Sequence, residues 1–393
     1  MTNLTDNPPA DPPAALPPEP KNGQVAAAPG TSTSDDDPVP GGPIGVVVVG
    51  AGKWAHECWV PLLTETRANY HVRAVVDPRL GAAEALSATL GLGADAAFED
   101  LDSAVRSTTG LTAGIVLAGP DQHATTICAL AGHGLHVLTE KPLAVTAGEA
   151  TTIEMVARRA GVRVAVVQNY RHETRIQRFR QLLHSGALGP LSYLVARFAA
   201  DYRRPGSWDV GDAHDMPDPL LVEGSIHHLD MIRHLTGAEI RTVAAVTGDP
   251  AWSSFAGPAA AGVLVGLSDG SFAVYEGNLL AAGEQRRWHR EYYRAECRDG
   301  AVELDGDQIR IHRGTSVPEI ITVPADDARH GHQTVLAEFA RWLHGGDPAS
   351  TCLADNLRSV AAVFAARDAA ATARLTAMLP QPTTRLEFAT DLG

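Results

Sequence analysis

The pattern of hydrophobic and polar positions divides the chain into three parts. Residues 1–43 are dense in Pro, Ala, Gly, Ser and Asp. Such a segment buries too little apolar surface to offset its ordering entropy, so we expect it to be disordered. Residues 44–168 alternate between short uninterrupted apolar runs and helical stretches. These runs predict strands covered on both faces, and their alternation with helices predicts a doubly wound parallel sheet.

Residues 169–393 follow a different pattern, in which strand-length segments are joined by hairpin signals such as those at 268–271 and 304–307. This pattern predicts an α+β domain with a large, mainly antiparallel open sheet. Helices near residues 225–235, 334–343 and 354–378 would cover one face of that sheet. The other face would expose apolar side chains, which predicts self-association as a homo-oligomer, a dimer or a tetramer.

Composition and charge argue against several classes of partner. The chain of 393 residues has a formal net charge of −14 and no evident basic patch, which disfavours a nucleic-acid or anionic-membrane surface. Its four cysteines are scattered without metal-ligand spacing, as in reduced proteins of the cytosol. No segment has the run of about 18 apolar residues that a membrane span needs, and the N-terminus has no export signal. We therefore expect a cytoplasmic protein that binds neither nucleic acid nor membrane.

The first apolar run ends in a glycine-rich turn that is typical of dinucleotide binding. Residues 44–49 are followed directly by the G-x-G-x-x-A sequence of residues 50–55, and a helical stretch comes next. The first glycine permits the tight turn, the second lets the backbone approach a pyrophosphate, and the small last residue lets helix and strand pack closely. The candidate cofactor residues of this turn are Gly50, Gly52, Lys53, Trp54 and Ala55.

An acidic residue ends the second predicted strand. Asp77 stands where a carboxylate accepts hydrogen bonds from both hydroxyls of the adenosine ribose, and it would repel a 2′-phosphate. This position favours NAD over NADP. Arg79 could nevertheless pair with that phosphate, so NADP stays open as a cofactor. The Asp-Pro pair at 77–78 is also typical of a simple turn.

Two further positions are candidates for functional residues. Lys141 follows the apolar run 135–138, at the edge where open α/β sheets bind their ligands, although a lysine before a proline is also common in solvated loops. His227 lies in a predicted helix, four residues after Glu223 and close to Asp230 and His234. A structural histidine is the default interpretation for any one of these, and a metal site lacks a further ligand at suitable spacing.

Several motifs occur in the order found in the Gfo/Idh/MocA oxidoreductase family, and the chain resembles that family over roughly residues 44 to 380. They are the glycine turn at 50–55, P-D-Q-H at 120–123, E-K-P at 140–142, N-Y-R at 169–171 and I-H-H-L-D at 226–230. The resemblance implies a Rossmann domain at 44–168 and a substrate-binding and oligomerisation domain at 169–393. It also implies NAD(P)-dependent oxidation or reduction of a sugar, a cyclitol or a related compound.

The resemblance also implies roles for individual residues. Lys141 would bind the reacting oxygen, and His227 would be the general base or acid. Glu223 stands where the family usually has Asp, and the glycines that usually precede that position are missing. The cofactor site would comprise, besides the residues of the glycine turn, Asp77, Arg79, Pro120, His123, Glu140 and Lys141. No metal is implied.

The substrate residues are harder to predict. Polar-aromatic stretches suit a carbohydrate-like ligand, but they are equally typical of a plain sheet surface. The candidates are Tyr170, Arg203, Trp208, Trp288 and His289. The leading hypothesis is a sugar or cyclitol dehydrogenase. Alternatives are an enzyme with tightly bound NAD that performs transient oxidation and elimination on a glycoside, and a non-catalytic NAD(P)-binding sensor.

Overall fold

A computed structural model describes residues 41–208, 213–283, 288–324, 326–327 and 329–372. Of the segment expected to be disordered, residues 1–40 lie outside these ranges, as do residues 373–378 at the end of the last predicted helix.

The first domain is a six-stranded parallel sheet with helices between its strands. The strands are β1 (Ile44–Val49), β2 (Tyr70–Val76), β3 (Ala97–Phe98), β4 (Ala113–Val116), β5 (His136–Thr139) and β6 (Val164–Val166). The helices are α1 (Val60–Glu65), α2 (Leu80–Thr89), α3 (Leu101–Ser107), α4 (Pro120–Gly132) and α5 (Ala147–Ala160). All six residues of β1 are buried, because helices cover both faces of such a sheet. The predicted doubly wound fold is confirmed.

The strand order of this sheet indicates where a ligand would bind. The order is β3-β2-β1-β4-β5-β6, so the chain winds outward in both directions from the neighbouring strands β1 and β4. Ligands of open α/β sheets bind in the crevice at the carboxyl ends of the strands, next to this reversal. The segments that follow β1, β2, β4 and β5 all begin at that edge.

The second domain is an eight-stranded sheet, and the predicted mainly antiparallel pairing is confirmed. The strands are β7 (Leu191–Ala199), β8 (Ile240–Gly248), β9 (Ala260–Leu267), β10 (Phe272–Asn278), β11 (Tyr292–Cys297), β12 (Gly300–Asp305), β13 (Gln308–His312) and β14 (Glu319–Thr322). Their order is β14-β13-β12-β11-β7-β10-β9-β8. Every neighbouring pair is antiparallel except β7 and β10, which are parallel.

In the described part of the chain, four α-helices follow β6, and one of them packs differently from the prediction. They are α6 (Thr174–His184), α7 (Ser225–Thr236), α8 (His330–Leu343) and α9 (Leu353–Thr372). The prediction that α8 covers the antiparallel sheet is wrong, because its residues Val335, Leu336 and Phe339 pack in one core with β1 and α1 of the first domain. The Tyr70 hydroxyl also donates to the Leu336 carbonyl oxygen at 2.6 Å. Helical spacing shows that α8 has an apolar face but not which sheet that face covers.

The outer face of the antiparallel sheet exposes apolar side chains along β8, β9 and β10. The exposed fractions are 49% for Val246, 48% for Leu264, 40% for Phe272 and 37% for Val274.

Among the described residues, no helix is both long enough and apolar enough to cross a bilayer.

Candidate active site

The glycine turn after β1 has the shape that a dinucleotide needs. Gly50 has a φ of 105°, and a Cβ added there would lie 2.5 Å from the backbone nitrogen of Ala118, so only glycine fits. An added Cβ at Gly52 would meet no described atom within 4 Å, which leaves the space beside its backbone open. Ala55 is buried, whereas Lys53 is exposed and lies 3.8 Å from Glu57.

Glu140, which precedes the candidate lysine, is held by two tryptophans. The indole nitrogens of Trp54 and Trp59 donate to the same carboxylate oxygen, Oε1, at 2.7 and 2.8 Å. Residues 55–59 form a π-helical turn, in which hydrogen bonds join residues five apart, so the two indoles lie on one face. His332 of α8 lies 3.8 Å from that oxygen. Trp59 and His332 were not among the predicted site residues.

The carboxylate of Asp77 faces the glycine turn. Its Oδ2 accepts from the backbone nitrogen of Ala51 at 2.9 Å, and its Oδ1 accepts from the backbone and Nε of Arg79 at 2.9 and 3.0 Å. Burial acts to raise the pKa of this carboxyl, but the hydrogen bonds from Arg79 and Ala51 outweigh burial and hold the pKa below its ordinary value. The carboxylate is therefore anionic at neutral pH.

Two further predicted cofactor residues lie at the start of α4. Pro120 is the first residue of that helix, where a missing N–H costs no hydrogen bond. His123 is buried, and its ring nitrogens lie 2.7 Å from the Pro142 carbonyl oxygen and 3.0 Å from that of Ala118. Both ring nitrogens thus face the backbone, and His123 ties α4 to the turn that carries Lys141.

Lys141 is paired with Glu223 and is not a solvated loop lysine. Its Nζ contacts Oε1 of Glu223 and donates to the backbone oxygen of Glu223 at 3.2 Å. Only 17% of the Lys141 side chain and 6% of the Glu223 side chain are exposed. Glu223 lies in a second π-helical turn, residues 219–224, which leads directly into α7. The longer acidic residue therefore still reaches the lysine.

His227, in the first turn of α7, stacks on Tyr170 with a ring-centroid distance of 4.3 Å. Burial and the positive charge of Lys141 hold the pKa of His227 well below its ordinary value, so the imidazole is neutral at neutral pH. Its Nδ1 is buried and has no hydrogen-bond partner among the described residues. The structure thus brings Lys141, Glu223, His227 and Tyr170 together.

Two of the other predicted substrate residues stand beside this cluster. The His289 ring lies 4.4 Å from that of Tyr170, and its Nδ1 lies 2.6 Å from Oε1 of Glu173. Burial acts to lower the pKa of His289, but the Glu173 carboxylate outweighs it and raises the pKa above its ordinary value. The Trp288 ring lies 6.0 Å from that of His227.

The remaining two substrate candidates lie farther from His227. The Trp208 ring lies 6.0 Å from that of Trp288, which is itself 6.0 Å from the His227 ring. Trp288 therefore links Trp208 to His227. Arg203 is exposed and donates to Asp201 from Nε at 2.7 Å and from Nη2 at 2.8 Å. No contact among the described residues joins Arg203 to the cluster around His227.

A buried ion-pair network fixes α7 through Asp230, on the face that neighbours His227. Asp230 accepts from Nε and Nη2 of Arg171 at 2.7 and 2.6 Å, and from the Ser359 hydroxyl of α9 at 2.6 Å. Both carboxylate oxygens of Asp230 are therefore engaged by Arg171 and Ser359. The set of His227, Asp230 and His234 considered as metal ligands does not converge.

Comparison with known proteins agrees with this geometry. Residues 44–168 match the "oxidoreductase family, NAD-binding Rossmann fold", and residues 176–307 match the "GFO/IDH/MocA C-terminal domain". Uncharacterized protein y4oX of Sinorhizobium fredii is 31% identical over 286 residues, which cover 70% of this chain and 79% of that protein. Glucose-6-phosphate 3-dehydrogenase of Bacillus subtilis is 27% identical over 202 residues, which cover 50% of this chain and 54% of that protein.

A solved structure shows the same fold. The inositol dehydrogenase homolog of Azotobacter vinelandii, complexed with NADH and myo-inositol, is 16% identical, with a TM-score of 0.74. The match covers 86% of this chain and 97% of that one. The two family matches together span the glycine turn, the E-K-P turn and α7. The chain therefore belongs to the Gfo/Idh/MocA family of NAD-binding oxidoreductases.

Proposed function

We propose that the protein transfers a hydride between the nicotinamide of NAD and a secondary alcohol or ketone carbon of a sugar, cyclitol or sugar derivative. The observation that carries this proposal is the contact between Lys141 and Glu223, one helical turn before His227. It joins the carboxyl end of β5, where a nicotinamide ring is expected, to an imidazole that is neutral at neutral pH. The names of glucose-6-phosphate 3-dehydrogenase and of the inositol dehydrogenase homolog support the substrate class.

The residues of the chain supply binding and proton transfer. NAD supplies the hydride acceptor, and the open space beside Gly52 and the anionic Asp77 fit its pyrophosphate and ribose. Lys141 holds the substrate oxygen and stabilises the negative charge that develops there. Neutral His227 accepts the hydroxyl proton during oxidation and returns it during reduction. Glu223 orients the lysine, and Tyr170 fixes the plane of the imidazole by stacking on it.

A substrate screen tests the proposal. Full-length protein is incubated with NAD or NADP and with sugars, sugar phosphates, inositols and sugar acids, while absorbance of the reduced cofactor is followed. We expect reduction of cofactor with at least one polyol that has a secondary hydroxyl group. Binding of NADH without turnover of any compound would contradict the proposal and would favour the sensor. Cofactor that co-purifies and is regenerated in each turnover would identify the eliminating enzyme instead.

The pH dependence of oxidation follows from His227. The ordinary pKa of histidine is 6.5, and burial together with Lys141 lowers that of His227 well below it. Since oxidation needs the neutral imidazole, we expect kcat to stay constant as the pH falls from 8 to about 6.5 and to decline only at lower pH. The measurement is kcat against pH at saturating cofactor and substrate. A decline that is already half complete at pH 7 would contradict the assignment of His227 as the base.

We also propose that a second copy of the chain covers the exposed apolar face of β8, β9 and β10, so that the protein is a dimer or tetramer in the cytoplasm. Four apolar side chains along three neighbouring strands support self-association, since exposed patches of this kind mark interfaces. All four cysteines are free thiols, which supports the cytoplasmic location. Light scattering of the full chain measures the mass, and a monomer at micromolar concentration would contradict the oligomer.

A further inference from the structure

The imidazole of His332 is held where the first turn of α8 meets the turn at residues 169–172, which carries Tyr170. The two turns approach each other closely at Gly331. A Cβ added there would lie 2.2 Å from the backbone oxygen of Asn169, so a larger residue would push the two segments apart. His332 follows directly and is 5% exposed. Its position is therefore fixed by the packing of α8 and not by a mobile surface segment.

His332 lies between the cofactor side and the substrate side of the site. On the cofactor side, its Nε2 is 3.8 Å from Oε1 of Glu140. Its ring centroid is 6.1 and 6.2 Å from those of the two tryptophans that donate to this oxygen. On the substrate side, besides burial and Lys141, a positive charge on His332 acts to lower the pKa of His227. The two imidazoles are thus within electrostatic reach of each other.

The protonation state of His332 leaves one ring nitrogen as an acceptor. Burial lowers its pKa and outweighs the Glu140 carboxylate, which acts to raise it, so the imidazole is neutral at neutral pH. The carboxylate favours the tautomer with the hydrogen on Nε2, because that N–H faces a negative oxygen. Nδ1 then accepts. It is buried and has no hydrogen-bond partner among the described residues, although buried polar atoms are nearly always paired. A donor from a bound molecule would complete the pairing.

We propose that Nδ1 of His332 accepts a hydrogen bond from the carboxamide NH2 group of nicotinamide. NAD is the donor because Glu140, Trp54 and Trp59, the side chains around this imidazole, belong to the nucleotide-binding half and lie at the edge where the nicotinamide is expected. A carboxamide held in this way keeps the nicotinamide ring from rotating about its bond to ribose, so one face of the ring stays turned toward the substrate. This inference rests on NAD binding and not on the identity of the substrate.

Nucleotide analogues test the inference without any substrate. In 3-acetylpyridine adenine dinucleotide a methyl ketone replaces the carboxamide and removes the N–H donor, whereas thionicotinamide adenine dinucleotide keeps the NH2 group. The full chain is titrated with NADH and with the reduced forms of both analogues, and quenching of tryptophan fluorescence reports binding. For the wild type we expect the acetylpyridine form to bind about tenfold more weakly than the other two, because it leaves a buried acceptor unpaired.

Two variants of His332 separate the hydrogen bond from packing. His332→Asn keeps an acceptor oxygen near the place of Nδ1 and should retain most of the preference for the two NH2-bearing nucleotides. His332→Leu removes the acceptor, should weaken NADH about tenfold, and should bring the three dissociation constants to within about twofold of one another. A partly misfolded variant would lower the amplitude of quenching but would leave the ratio of the dissociation constants readable.

The control variant changes a histidine at the other end of α8. His344→Leu removes an exposed imidazole and should change each dissociation constant less than twofold. Equal binding of the three nucleotides by the wild type would overturn the inference. Equal weakening of all three by His332→Leu would overturn it as well, because the imidazole would then act through packing alone. Absence of sugar turnover would contradict only the proposed function.

Discussion

Replacing Lys141 with methionine should lower kcat about a thousandfold and weaken NADH binding far less. The reason is that the ammonium group is the cation expected at the substrate oxygen, and removing one preorganised donor from a developing oxyanion costs about 10²–10³ in kcat. Steady-state kinetics on a substrate found in the screen, together with NADH titration, measures the two effects separately. A kcat within tenfold of the wild type would contradict the role of Lys141.

The buried partner of the lysine requires a control. Lys141→Met leaves the Glu223 carboxylate without its cation in a site where only 6% of that side chain is exposed, and an unpaired buried charge is destabilising. The double variant Lys141→Met, Glu223→Gln removes both charges and should restore stability without restoring kcat. Arg298→Met, between β11 and β12, removes a cation of which 69% is exposed and should leave kcat within about threefold.

Replacing Asp230 with alanine should lower the free energy of unfolding by about 3–5 kcal/mol, the usual cost of removing one partner from a buried ion pair. Asp230 is 1% exposed and accepts three hydrogen bonds, two from Arg171 and one from Ser359. Its loss leaves Arg171 buried with one remaining carboxylate, that of Asp355 at 2.6 Å. Urea denaturation followed by circular dichroism measures the change.

A surface pair serves as the comparison for Asp230. Asp102, 65% exposed, lies 2.7 Å from His133, and Asp102→Ala should change the free energy of unfolding by less than about 1 kcal/mol. Asp230→Asn keeps the shape and an acceptor oxygen and should cost less than the alanine change. A loss below 1 kcal/mol for Asp230→Ala would show that α7 does not depend on this network. Because α7 carries His227, we also expect the alanine variant to lower kcat at temperatures where it is still folded.

Local patterns in the sequence predicted the features that depend on neighbouring residues. The run Ile44–Val49 predicted the central strand because a continuous apolar segment of that length is typical of a strand buried on both faces. The glycine turn was predictable because φ values such as that of Gly50 are nearly restricted to glycine. The position of Lys141 followed from the end of β5 and the proline after it.

Features that join distant segments were not predictable in this way. Trp59 and Glu140 are 81 residues apart, and the π-helical turn that directs the indole has no recognisable sequence pattern. Side-chain rotamers were not predictable either. Asp77 and Arg79 are two residues apart, but the hydrogen bonds between them depend on a rotamer that sequence spacing does not specify. His289 has a φ of 65°, which is uncommon for residues other than glycine. A sequence of ordinary residue types does not show such a backbone value.

The packing of α8 has a consequence for synthesis of the protein on the ribosome. The core that contains β1 and α1 also contains Val335, Leu336 and Phe339, which are translated long after the last strand of the first sheet. Until those residues emerge from the exit tunnel, one face of the nascent nucleotide-binding half exposes the apolar surface that α8 later covers. Partly folded chains with exposed surfaces of this kind are prone to aggregate. A fragment ending at residue 168 should therefore need a chaperone that the full chain does not.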